Sequence, residues 1–88
     1  MPSHIRVAPE DGRTIVQVDD EELFDFVDDF LTEECGLDYD FVSTSTDGTR
    51  TIHFPDETSR DAVTAALERL DPREVERIFR INNPVKES

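Results

Sequence analysis

Two histidines, one cysteine and 22 carboxylates are the side chains of this 88-residue chain that could carry chemistry. A metal centre needs histidines and carboxylates that converge, each oriented by an outer partner. His4 and His53 stand in separate segments, and no H-x-x-E, H-E-x-x-H or Cys/His cluster accompanies them. His53, beside Thr51, reads as a solvated strand residue. Cys35 is alone, which excludes an intrachain disulfide and a cysteine zinc site. A reactive thiol needs electropositive neighbours, and Cys35 follows Glu33 and Glu34. An inert, partly buried thiol is expected. Acid–base work by two carboxylates needs surroundings that push their pKa values apart, whereas nearly all of these fall on solvent faces or in helix caps. The run Asp19-Asp20-Glu21-Glu22 could collect calcium, but the Asp-x-Asp-x-Asp-Gly loop with a distal Glu is missing. The three glycines fall at turns or helix ends, which leaves no phosphate-cradling loop. No catalytic residue, metal or cofactor site is expected, and the chain is not expected to be an enzyme.

The carboxylates matter more as a group. They face nine basic residues, eight Arg and the single Lys86, for a formal charge of −13. At low ionic strength such a chain repels itself; at 1 M salt the screening length is only about 3 Å and the repulsion largely vanishes. Abundant Asp and Glu, scarce Lys and retained Arg resemble the composition of haloarchaeal cytosolic proteins. That resemblance covers the whole chain and implies an environment of high salt, not a family. No basic segment followed by an apolar run opens the sequence, so no signal peptide is expected. The apolar runs are far shorter than the roughly 20 residues of a membrane span. The cytoplasm is the expected location, without membrane association.

The elements that must position these residues are written in two Asp-Gly pairs, Asp11-Gly12 and Asp47-Gly48. Asp-Gly between alternating segments signals a hairpin with a type I′ turn, which needs positive φ at both central residues. A two-residue loop at Asp11-Gly12 sets Val7 opposite Val16 and Ile5 opposite Val18. The same loop at Asp47-Gly48 sets Phe41 opposite Phe54 and Ser43 opposite Ile52. Each hairpin leads into a helix. Asp19 is the expected N-cap of the first, with Glu22 at capping-box spacing. Leu23, Phe26, Val27, Phe30 and Leu31 form its apolar stripe, and Gly36 stops it. Asp56, or Thr58 with Asp61, caps the second, whose stripe is Ala62, Val63, Ala66, Leu67 and Leu70. Asp71-Pro72 opens a third, with Val75, Ile78 and Phe79 inward. The halves align weakly at an offset of 36, Val16 with Ile52 and Leu31 with Leu67.

The expected fold class is therefore α+β in the order ββα-ββα-α: two Asp-Gly hairpins form a four-stranded antiparallel sheet with the helices packed on one face. Residues 1–81 form a single domain, and 82–88 a frayed tail.

Charge is unevenly distributed. Residues 1–59 carry three Arg against 16 acids, a net of −13, and residues 60–88 are neutral overall. Asp25, Asp28 and Asp29 share one side of the first helix, and Arg73, Arg77 and Arg80 recur along the third. These six residues are the candidate partner surface. The expectation is a small salt-adapted, non-catalytic interaction or regulatory domain, with a protein partner or a homodimer. The alternative is a nucleic-acid mimic, an inhibitor or immunity protein whose acidic half occupies a basic nucleic-acid-binding partner. Direct nucleic-acid binding is disfavoured because the net charge repels phosphate.

Overall fold

Alternation with period two and apolar spacing of three to four residues divide the chain into strands and helices, and the computed structural model describes residues 4–82. Strands β1 (Ile5–Glu10) and β2 (Arg13–Val18) precede helix α1 (Glu21–Asp29), which runs on into a π-helical turn, Phe30–Glu34. Strands β3 (Phe41–Thr44) and β4 (Arg50–His53) follow, then helices α2 (Arg60–Leu67) and α3 (Pro72–Asn82). The fold is α+β, with one antiparallel sheet in the order β1-β2-β4-β3 and three helices. Helix α3 includes Asn82, where the sequence suggests a tail begins; residues 83–88 lie outside the described residues.

The β1–β2 pairing sets Ile5 opposite Val18 and Val7 opposite Val16. Asp11 and Gly12 both have positive φ, 51° and 79°, the geometry of a type I′ turn. The centre of the sheet is the β2–β4 pair, where Val16 faces Ile52, two positions 36 residues apart.

The second hairpin departs from the sequence reading. Phe41 pairs with His53 and Val42 with Ile52, not Phe41 with Phe54 or Ser43 with Ile52. Among the described non-glycine residues only His4 and Asp11 have positive φ, so Asp47 does not take the I′ conformation. Its carboxylate instead accepts from the Ser45 hydroxyl (2.5 Å) and the Thr49 amide (3.0 Å). Ser45 N–H donates to the Thr49 carbonyl at 2.9 Å, so three residues, 46–48, make the turn, with Gly48 at φ +91°. A slip of one residue turns every side chain to the other face. Val42 thus packs on the core, and Phe41 stands 51% exposed on the outer face. Phe54 continues past β4, donating its amide to Thr14, and is completely buried.

The core lies between the sheet and the helices, with Val16, Val18, Ile52 and Phe54 meeting Leu23, Val27, Leu31, Val63, Leu67 and Val75. Three cap and stripe details differ from expectation. Asp20, not Asp19, is the N-cap of α1: it is 5% exposed and accepts from the Leu23 amide at 3.0 Å, while Asp19 forms a two-bond pair with Arg6. Ser59, rather than Asp56 or Thr58, caps α2 by accepting from Asp61 and Ala62. Phe24 is buried while Phe26 and Phe30 are only half-buried, and Ala62 is exposed. At the end of α1 Cys35 N–H reaches back five residues to the Phe30 carbonyl and Leu37 N–H six to Leu31, with Gly36 at φ +66°. Leu31 stays buried in the wider turn, while Phe26 and Phe30 pack against the edge of the core and are half-buried.

Candidate interaction surfaces

The side chains with chemical potential are dispersed by this fold. His53 lies on the outer face of the sheet, stacked on Phe41 (centroids 4.1 Å apart, 11° between planes) and 2.9 Å from the Ser43 hydroxyl through Nε2. His4 stacks on Phe79 of α3 at 3.6 Å, with Nε2 3.3 Å from Glu76. The run 19–22 is likewise dispersed: Asp19 pairs with Arg6, Asp20 caps α1 and Glu21 reaches Arg50 at 3.3 Å. Among the described residues no three His, Cys, Asp or Glu side chains come together as a metal site. Cys35 is half-buried, and a guanidinium reaches its sulfur: Arg69 Nη1 donates to Sγ at 3.7 Å, while Arg69 also covers the Phe30 ring at 5.8 Å. The acidic sequence neighbours of Cys35 gave no sign of this contact, which crosses from the end of α2.

The three carboxylates of α1 do not act as one set. Asp25 and Asp29 are exposed, but Asp28 is half-buried against Tyr39. Burial first, then the charge and hydrogen bond of Asp28, raise the Tyr39 hydroxyl above its ordinary pKa. Asp29 joins a different group: with Phe26, Phe30, Glu33 and Glu34 it lines a shallow groove of about 310 Å³. This acidic shoulder has an apolar floor and a carboxylate rim. Sequence reading placed Phe26 and Phe30 within the apolar stripe, whereas the buried face is centred on Leu23, Phe24, Val27 and Leu31 and leaves them at its edge.

On α3 the arginine stripe is intact. Arg73, Arg77 and Arg80 are exposed and line, with Pro72, Glu76 and Ile81, a groove of about 600 Å³. Ile81 is 69% exposed. Arg77 donates to Glu74 at 2.6 Å, which raises the pKa of its guanidinium, and Arg80 lies 3.5 Å from Glu76. Arg73 has no ion-pair partner among the described residues. Exposed pairs of this kind contribute at most about 1 kcal/mol, so all three guanidiniums remain available to a partner.

A third surface is the face of the sheet opposite the core. Ala8, Ile15, His53 and Phe41 lie opposite one another in a row across β1, β2, β4 and β3. Its arginines are engaged at the rim, Arg6 with Asp19 and Arg13 with both Asp40 and Asp56.

Compared with known protein families, characterised proteins and solved structures, the chain finds no match.

Proposed function

We propose that this chain is a salt-adapted, non-catalytic interaction domain of the cytoplasm that docks an acidic, partly apolar protein surface on the outer face of α3. The observation that carries the reading is the α3 groove, where Ile81 stands 69% exposed beside three arginines in a protein of net charge −13. Large exposed apolar side chains rimmed by polar groups are a feature of contact sites, and Arg is enriched at such sites because its planar fork pairs two ways with carboxylates. The carboxylates nearest the histidines and helix starts are already engaged in caps and ion pairs, which favours a structural use for them. The described residues contain no helix long and apolar enough to cross a membrane. The contact of Asp28 with Tyr39 counts against the mimic, because it removes one carboxylate from the series that would imitate phosphates.

The test is affinity capture from the source cytosol at high KCl, with the wild type beside Arg73→Glu/Arg77→Glu/Arg80→Glu. An acidic protein retained by the wild type and lost by the variant is the expected result. Equal recovery of that protein by both would overturn the reading.

A further inference from the structure

The two grooves of the helical layer are complementary to each other. One has an apolar floor of Phe26 and Phe30 with a rim of Asp29, Glu33 and Glu34; the other has Pro72 and Ile81 beside Arg73, Arg77 and Arg80. They belong to adjoining elements. Helix α1 packs on α3, and Arg69, three residues before Pro72, lies over Phe30 and against Cys35. A surface with an acidic half beside a basic half is self-complementary under a two-fold rotation: each acidic half meets the partner's basic half, and the contact closes after two copies. We infer that the occupant of the α3 groove is a second copy of this chain, whose acidic shoulder seats on the arginines while its own α3 receives the first copy's shoulder. This rests on the reading of α3 as the docking face and names the partner.

The charge count fixes the conditions. Two chains of −13 repel each other in dilute buffer. At about 1 M salt the screening length is about 3 Å, which removes that long-range repulsion but spares ion pairs in contact. Apolar association meanwhile strengthens with excluded salts. Dimerisation should therefore rise with salt, opposite to a contact made by charge alone.

The experiment is light scattering across a KCl series, with two charge-reversed variants. Variant one is Arg73→Glu/Arg77→Glu; variant two is Glu33→Arg/Glu34→Arg. The wild type should have a mass near 10.1 kDa at low salt and twice that at high salt. Each variant alone should stay monomeric at high salt, one through facing acids and the other through facing arginines. Their equimolar mixture should recover the dimer, since both reversed contacts are then matched. Circular dichroism establishes that each variant is folded. Where one is not, Arg77→Gln and Glu33→Gln replace it, and each should raise the dimer dissociation constant roughly tenfold. A wild type that stays monomeric at every salt and concentration would overturn the inference, while leaving α3 as a docking face for another acidic protein, which the capture experiment tests separately. Variants that dimerise as the wild type does would move the contact elsewhere, to the β3 edge or the outer sheet face, and equally overturn it.

Discussion

Replacing Phe54 with Ala should strongly destabilise this protein, whereas replacing Phe41 with Ala should cost it little. In the structure Phe54 is 0% exposed among the central side chains of the core, and Phe41 is 51% exposed on the opposite face of the sheet. Truncating a fully buried Phe removes its transfer free energy and leaves a cavity, a cost of about 3–5 kcal/mol. A domain of this size has a total stability of only about 4–13 kcal/mol at roughly 0.05–0.15 kcal/mol per residue. Phe54→Ala therefore removes about a quarter of it at the least and all of it at the most. Phe41→Ala loses part of one exposed face and the stack on His53, together about 1 kcal/mol. Urea melts at high KCl would read both values. With an m-value of about 1 kcal/mol/M, the midpoint should fall by several molar for Phe54→Ala and by about 1 M for Phe41→Ala. Equal losses for the two variants would refute the one-residue slip at β3, because a pairing of Phe41 with Phe54 would bury both rings together.

Two further outcomes follow from the local geometry. Asp20→Ala should cost about 1 kcal/mol by removing the buried N-cap of α1, and Asp19→Ala less, since it breaks only an exposed pair with Arg6; thermal melts that reverse this order would return the cap to Asp19. Hydrogen bonds from Ser45 first and then Thr49 lower the Asp47 carboxyl from 3.8 to about 2. A depressed folded pKa stabilises above the unfolded value, so this contribution is present above pH 4 and lost as pH falls towards 2. Asp47→Asn should therefore flatten acid unfolding in that window, and an Asp47 carboxyl titrating at its ordinary value by NMR would contradict the turn geometry.

The α+β class and the antiparallel sheet were legible in the sequence because period-two and helical spacings alternate along it, and Val63, Leu67 and Val75 went where their spacing put them. Phe41 was misplaced because an Asp-Gly pair does not reveal whether Asp takes positive φ. At 11 it does; at 47 the flanking Ser45 and Thr49 offer the carboxylate hydrogen bonds that favour a longer turn. The cap of α1 was placed one residue early because Asp19 and Asp20 are chemically identical and only the cross-strand partner Arg6 distinguishes them. The arginine stripe was visible as helical spacing. The acidic shoulder was not, because the burial of Phe24 turns the inner face of α1 and leaves Phe26 and Phe30 at its edge beside Asp29.

The most direct test of α3 as the contact between two copies of the chain is the concentration dependence of amide NMR shifts at high KCl, from micromolar to millimolar chain. Arg73, Arg77, Arg80 and Ile81 should shift together with Phe30, Glu33 and Glu34, with one shared dissociation constant. Shifts confined to Phe41–Thr44, or none anywhere as the chain is concentrated, would contradict it.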